Sequence, residues 1–144
     1  MILDTDAAWA AGFLDGEGHF GISLRGDGRA NTVVAATQVD PRPLLRLKEF
    51  FGGSLSNCIR GSRGGYYQWS LQGNTKVERL LLAVRPYLSI KGEQTELMLA
   101  LIELVHSEPK KRTGVFISDE GLRKRIEFAA AIKKINKQRG RPAV

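Results

Sequence analysis

The stretch AAWAAGFLDGEGHFG, residues 7–21, is rich in small residues and runs directly into two acids and several glycines. Ala8, Gly12 and Gly16 recur at every fourth position, so in a helix they would share one face. A helix face without large side chains lets another backbone approach closely. Glu17 comes at the predicted end of this helix, where the macrodipole is negative and a carboxylate is unfavourable unless a cation compensates it. The stretch therefore predicts a closely packed helix that ends in a functional acid.

The tripeptide Gly16-Glu17-Gly18 also fits an ordinary helix C-cap, in which the acid is merely solvated. Taken alone, it favours that ordinary explanation, because short strings of acids and glycines are common. Only the longer string around it favours a functional site.

That longer string, AAGFLDGEG at residues 10–18, resembles the nine-residue signature of the LAGLIDADG homing endonucleases. Ala10 departs from the signature, where it replaces a leucine with a smaller apolar group. Trp9 and the segment Phe20-Gly21-Ile22 are also similar to this family. The identical positions are Ala11, Gly12, Asp15 and Gly18, and the close substitutions are Phe13, Leu14, Gly16 and Glu17.

Composition predicts one domain over residues 1–144, with a basic tail at about 133–144. A net charge of +7 and a pI near 9.9 indicate an anionic partner, of which nucleic acid is the commonest. The single cysteine, Cys58, excludes a disulfide framework and a cysteine-rich zinc site, and we expect it to be a small buried residue. No apolar run reaches membrane length and no signal peptide opens the chain. We therefore expect no membrane partner and an intracellular, soluble protein of the cytoplasm, nucleoid or organelle matrix.

Hydrophobic periodicity predicts an alternating order of helices and strands. The predicted elements are a helix from Asp4 or Thr5 to about Asp15, strands at 19–25 and 31–39, a helix from Asp40-Pro41 to 51, strands at 54–60 and 66–71, helices from 74 to before Pro86 and from 92 to 106, a basic linker, and a last helix capped by Ser118. This order indicates an α+β fold with one antiparallel sheet and helices on one of its faces. The fold of the resembled family has the same αββαββα order, with a saddle-shaped sheet that lies along the DNA major groove.

Polar residues that alternate along the strands would project from the free face of this sheet. A two-stranded ribbon fits the major groove, where Arg, Gln and Asn can read base edges. For any one residue, a solvated sheet face is an equal alternative. The candidate DNA-binding residues are Ser23, Arg25, Asn31, Arg60, Arg63, Tyr66, Gln68 and Ser70.

Hydrolysis of a phosphodiester needs an activated water, a stabilised leaving oxygen and relief of negative charge, and divalent metal ions supply all three. Mg²⁺ prefers oxygen ligands, and proteins usually hold it with one or two carboxylates. The chain contains one copy of the motif and therefore one motif carboxylate, Glu17. Two-fold pairing of the motif helices would bring two copies of Glu17 together, which predicts a homodimer and a roughly palindromic target.

The resemblance implies further roles. The backbone carbonyl of Gly16 joins Glu17 in binding the metal, and Asp15 caps the partner's motif helix across a dimer interface that Ala8, Gly12 and Gly16 also form. Mg²⁺ is the expected cofactor, with Mn²⁺ as a substitute and Ca²⁺ binding without supporting cleavage.

Three more residues match the family's supporting catalytic set. Gln38 would organise water near the metal, Arg42 follows at the family's interval, and Lys91 would act through the water network or on the phosphate. Cations near the scissile phosphate stabilise the charge of the transition state. Their ordinary alternatives are a strand-end amide, a helix-start arginine and a solvated lysine.

The sequence thus predicts a metal-dependent, site-specific double-strand DNA endonuclease of the homing type. Two alternatives stay open: an RNA-binding intron maturase and a noncatalytic DNA-binding regulator of the same fold. We interpret His19, beside the acid, as a strand residue that contacts solvent or DNA. The aromatic residues of the fourth strand, Tyr66, Tyr67 and Trp69, could stack on bases, but their alternation along a strand favours packing in the core and at the groove edge.

Overall fold

The computed structural model describes residues 2–59, 64–108, 110–111, 114–115 and 117–139. The elements in chain order are α1 (Asp4–Glu17), β1 (Gly18–Leu24), β2 (Ala30–Gln38), α2 (Arg42–Phe51), β3 (Ser54–Ile59), β4 (Gly65–Gln72), α3 (Asn74–Val84), a 3₁₀ turn (Arg85–Tyr87), α4 (Gly92–Ser107), β5 (Lys110–Lys111), β6 (Gly114–Val115) and α5 (Asp119–Arg139). The predicted α+β class and the αββαββα order are confirmed.

Element boundaries differ from the prediction in a few places. The helix α1 continues to Glu17, and its N-cap is Leu3, which makes no side-chain cap hydrogen bond. The expectation that Asp4 or Thr5 caps this helix is therefore wrong. Pro41 is the N-cap of α2 and not its first residue. The segment expected to be only a basic linker contains the short strands β5 and β6, which pair with each other.

The main sheet has four antiparallel strands in the order β1-β2-β4-β3. The strands β1 and β2 form a hairpin whose register runs from Gly18 opposite Ala36 to Leu24 opposite Ala30. The second hairpin joins β3 to β4, and β4 pairs with β2 at the centre of the sheet. Consequently β1 and β3 are the two edge strands.

One face of the sheet is covered by helices and forms the core. Phe20, Val34, Trp69 and Leu71 on this face are buried against the helices. Trp69 also donates a hydrogen bond from Nε1 to the carbonyl of Gly52, at 2.8 Å. The expected packing of Trp69 in the core is confirmed.

The last helix, α5, lies along the edge strand β1 and runs antiparallel to it. Near its C-terminal end, Asn136 Nδ2 donates a hydrogen bond to the carbonyl of Phe20 at 2.9 Å. Near its N-terminal end, Leu122 lies beside Gly28 in the turn between β1 and β2. Ser118 Oγ accepts a hydrogen bond from the amide of Gly121 at 3.0 Å, which confirms the predicted cap.

A buried ion pair fixes the start of α5 to the end of α4. Arg125, which is 1% exposed, donates to both carboxylate oxygens of Glu108 at 2.6 and 2.7 Å. Removing one partner of such a pair would leave an uncompensated buried charge, so α5 is held firmly in place.

None of the helices in the described parts of the chain is long and apolar enough to cross a membrane. Cys58 is only half-buried, so the expectation that it is a buried residue is wrong.

Candidate functional site

The helix α1 passes into the strand β1 with no linker between Glu17 and Gly18. Gly18 donates its amide to the carbonyl of Leu14, and a Cβ at Gly18 would lie 2.7 Å from that same oxygen. Only glycine therefore fits at this junction. The abrupt change of direction leaves Glu17 exposed at the end of the helix.

Oxygen ligands for a metal are present at this junction. The last carbonyls of a helix, including that of Gly16, have no intrahelical partner, and carboxylate and carbonyl oxygens suit Mg²⁺. Yet among the described residues there is no group of three or more His, Cys, Asp or Glu side chains that could hold a metal ion. The Glu17 carboxylate and the Gly16 carbonyl therefore fit a divalent metal ion as two members of a larger set of oxygen ligands.

The small-residue face of α1 points away from the core. Gly12 and Gly16 are exposed, and apart from the helix's own neighbouring backbone no atom of the described residues lies within 4 Å of a Cβ built at either glycine. Ala8, one turn earlier, is half-buried. The opposite face of the helix packs in the core through Ala11 and Leu14. One protomer thus presents a helix face on which a second backbone could approach closely.

Asp15 has partners that the sequence analysis did not identify. Its carboxylate accepts three backbone hydrogen bonds from its own chain: from Ser89 at 2.7 Å, Ile90 at 3.0 Å and Lys91 at 3.1 Å. The carboxylate thus caps a segment of its own protomer, and the expected role in capping the partner's motif helix stays a prediction. Its place at a dimer interface stays a prediction.

These hydrogen bonds bring Lys91 to the end of α1. Lys91 is the N-cap of α4, and its carbonyl accepts hydrogen bonds from the amide and the hydroxyl of Thr95. Its backbone is therefore held from both sides, by Asp15 and by the first turn of α4.

The strand register brings Gln38 to the end of α1 as well. Gly18, the first residue of β1, pairs with Ala36, so β2 extends two residues beyond the start of β1. Gln38, the last residue of β2, is half-buried and pairs with Tyr67. The structure thus gathers the backbone positions of Glu17, Gln38 and Lys91 at one end of the sheet.

Arg42 lies at the start of α2, and its side chain is 85% exposed. Its Nε donates to both carboxylate oxygens of Asp40, at 3.0 and 2.9 Å, and Nη2 donates to Asp40 Oδ2. The Arg42 side chain is the main cause that lowers the pKa of Asp40 to about 2, and the same hydrogen bond raises the pKa of Arg42. The guanidinium charge is therefore compensated locally, and Asp40 is a partner that the motif did not indicate.

The candidate DNA-binding residues of the strands lie on the sheet face opposite the core. Ser23 pairs with Asn31, and Gln68 and Ser70 alternate with the buried Trp69. Tyr66 has the same strand parity as Gln68. Arg25 follows the end of β1, where its amide donates to the carbonyl of Arg29. Arg60 and Arg63 lie outside the described residues.

The sequence analysis missed two other polar residues of this open face. Thr37 and Ser56 are exposed and flank Gln68 in one row across three strands. His19 is exposed and stands in the next row, opposite Ala35. The alternation that identified Gln68 would also have identified Thr37 and Ser56, had the pairing of the strands been known.

Comparison with solved structures identifies the fold. The homing endonuclease I-CvuI, in complex with its target in the presence of Ca, matches with a TM-score of 0.72 and 22% identity over 92% of this chain and 82% of that chain. The archaeal intron-encoded homing endonuclease I-Vdi141I, complexed with DNA, matches with the same TM-score and identity over 92% of this chain and 84% of that chain.

A third structure, the LAGLIDADG meganuclease I-AabMI bound to uncleaved DNA, matches with a TM-score of 0.66 and 21% identity over 87% of this chain but 44% of that chain. No protein-family model matches the sequence, and no curated protein matches it either. The chain has the fold of these homing endonucleases, as the sequence predicts.

Replacement of Asp15 by asparagine should loosen the segment at Lys91. An amide is uncharged and holds the three backbone amides less strongly, at a cost of about 1–3 kcal/mol. We expect amide hydrogen exchange to accelerate at Ser89, Ile90 and Lys91. Asp27→Asn, in the β1–β2 turn, is the matched control and should leave these three amides unchanged. Unaltered exchange in Asp15→Asn would show that the hydrogen bonds do not hold the segment.

The ion pair at the start of α2 should be visible in a pH titration. Because its pKa is lowered, Asp40 contributes stability above about pH 4, and this contribution is lost as the pH falls through about 2. We expect NMR to give a midpoint of about 2 for the Asp40 carboxyl and a return toward 3.8 in Arg42→Gln. Arg46→Gln, which removes a neighbouring guanidinium, should not move the midpoint.

Proposed function

We propose that the chain is a site-specific, divalent-metal-dependent double-strand DNA endonuclease that acts as a homodimer. The observation that carries the proposal is the end of α1, where an exposed carboxylate, Glu17, adjoins an uncovered helix face of small residues. One protomer supplies half of a metal site and half of a helix pair at the same point.

Pairing of two protomers through α1 would complete both the metal site and the helix pair. The two-fold axis would pass beside Ala8, Gly12 and Gly16, with Asp15 at its edge, and would bring the two Glu17 carboxylates together. The likeness to I-AabMI supports this arrangement. The present fold covers less than half of that longer chain, which has the length for two such units.

The oxygen chemistry of the paired site suits Mg²⁺. Two Glu17 carboxylates and the Gly16 carbonyls, together with phosphate oxygens of the DNA, make a set of hard ligands. A bound divalent ion would activate water and offset charge at the phosphate. Without a cation the two carboxylates repel each other. We propose Mn²⁺ as a substitute and Ca²⁺ as an ion that binds without supporting cleavage; I-CvuI has been crystallised with DNA in the presence of Ca and of Mg.

Three side chains would assist at the phosphate. The Gln38 amide can both donate to and accept from water, which suits a residue that orients the attacking water. The Lys91 ammonium would stabilise the charge that accumulates on the phosphate in the transition state. Arg42 uses Nε and Nη2 on Asp40, so the two N–H groups of Nη1 can reach a phosphate without breaking that ion pair.

The open face of the sheet is the proposed DNA-binding surface. Its polar residues lie across adjacent antiparallel strands, which is the form of ribbon that fits a major groove. The proposed base-reading or phosphate-contacting residues are Ser23, Arg25, Asn31, Arg60, Arg63, Tyr66, Gln68 and Ser70.

Glu17→Gln tests the metal site. The amide keeps the shape of the side chain but is a poor metal ligand, so cleavage should fall by at least about 100-fold while DNA binding stays within about threefold. Glu49→Gln, an exposed acid on α2, is the matched control and should cleave normally. The assay uses duplexes selected by the wild type from a randomised library, with and without Mg²⁺. Cleavage by Glu17→Gln at the wild-type rate would refute the assignment.

The same selection separates the alternatives. Duplex binding without cleavage under any divalent ion would favour a noncatalytic regulator. Binding to RNA alone would favour a maturase.

Gly12→Leu tests the dimer. The protomer has room for the new side chain, and leucine is a better helix former than glycine by up to about 1 kcal/mol, so the protomer should fold normally. Two leucines at the two-fold axis would hold the helices apart and weaken dimerisation at least about tenfold. Sedimentation velocity measures this, with Lys76→Leu on α3 as the control. A wild-type protein that stays monomeric on its DNA would contradict the proposal.

A further inference from the structure

A groove of about 560 Å³ lies between the open face of the sheet and α5, beside the edge strand β1. Its floor is formed by residues of β1 and β2, and its outer wall by one flank of α5. The residues that matter here are His19, Gly21 and Val33 on the floor and Ile126, Ala130 and Lys133 on the wall. Since His19 and Val33 belong to the open face, the groove continues the proposed DNA-binding surface beyond the edge of the sheet.

The charge in this groove is positive. Lys133 is exposed and lines the groove, and no acidic side chain is among the described residues that line it. No carboxylate of the described part of the chain lies within 4.0 Å of the Lys133 ammonium. The cation is therefore available to an external anion.

The opposite flank of α5 is different. Lys124 lines a second groove, between α4 and α5, together with the acids Glu103 and Glu127. Lys124 is also 3.6 Å from Glu120 within the helix. The two flanks of one helix thus carry comparable lysines in opposite surroundings: Lys124 lies beside acids, and Lys133 does not.

Hydrogen bonds fix the position of Lys133. Asn136, less than one turn further along α5, donates to the carbonyl of Phe20 and accepts a hydrogen bond from Gln94 at 3.3 Å. Because α5 runs antiparallel to β1, Lys133 lies on the side of Asn136 that faces the end of that strand, and it lines the groove together with Gly21 and Ser23. At Gly21 the floor is covered by the His19 imidazole, whose Nε2 lies 2.8 Å from the position of a Cβ built on this glycine.

We propose that this groove is a phosphate-contact site, in which Lys133 binds the backbone of the DNA strand that crosses the edge of the sheet. The inference rests on the proposed function and extends it, because it adds an anchor outside the sheet. A lysine ammonium acts on a phosphate as a point charge and reads no sequence. Lys133 would therefore fix the position of the DNA without selecting its bases.

Lys133→Gln and Lys124→Gln form the decisive comparison. Both variants remove one positive charge from α5. Any difference in DNA binding between them is therefore due to the position of the lost charge. Each lost phosphate contact lowers the slope of log K against log[salt] by about 0.9, and a homodimer loses two, so Lys133→Gln should lower the slope by about 2. We expect its affinity to fall about 10-fold at low salt, equally on the selected target and on a scrambled duplex. Lys124→Gln should change neither quantity.

A gain of charge provides the reciprocal test. Ala130 lines the groove, and its neighbour Ala131 lines the groove on the opposite flank. Ala130→Lys should steepen the salt dependence, and Ala131→Lys should leave it unchanged.

Equal slopes in the two members of either pair would overturn the phosphate site. If the wild type cleaves its target while Lys133→Gln and Lys124→Gln behave alike, the phosphate site fails and the endonuclease stands. If the wild type neither binds nor cleaves duplex DNA, both proposals fail together.

Discussion

The direct passage from α1 into β1 is the constraint on which the rest of the site depends. Gly18 has no space for a side chain, because Leu14 already occupies the position that a Cβ would take. Leu14 itself is fully buried, so it cannot move aside. Glu17 is therefore held between a helix anchored in the core and a strand whose pairing is set by β2. An acid in such a junction can be presented to a ligand without the loss of conformational freedom that an acid on a loop would suffer.

Long-range polar contacts bring the remaining candidate residues to this junction. The carboxylate of Asp15 holds a segment that is more than 70 residues away in sequence, and that segment ends in Lys91. On the other side, Gln94 in the first turn of α4 contacts Asn136 of α5, which in turn contacts the backbone of β1. The start of α4 is thus hydrogen-bonded both to the motif helix and, through Asn136, to the edge strand.

Local patterns predicted most of the fold, because hydrophobic periodicity, turn glycines and caps act over a few residues. The alternation of β4 identified Trp69 as a core residue, and Ser118 was recognised as a cap. The partners of Asp15 could not be predicted in this way, since nothing in residues 86–91 signals that three backbone amides turn toward a distant carboxylate. The ion pair of Arg42 with Asp40 is local, yet two opposite charges two residues apart are too common to indicate one.

The position and the ion pairing of Glu17 can be compared with those of the other acids of the described chain. Some acids of the described chain have a cationic partner, such as Glu96 with Arg85 and Glu127 with Arg123, and others, such as the exposed Glu49, have none. Glu17 has no such partner among the described residues, although it stands at the negative end of a helix, where a carboxylate is least favourable. The protein as a whole carries a net charge of +7, so cationic side chains are abundant. An acid at a rigid junction, beside a helix face that no other element of the described chain covers, fits the proposed role of binding a cation from outside the protomer.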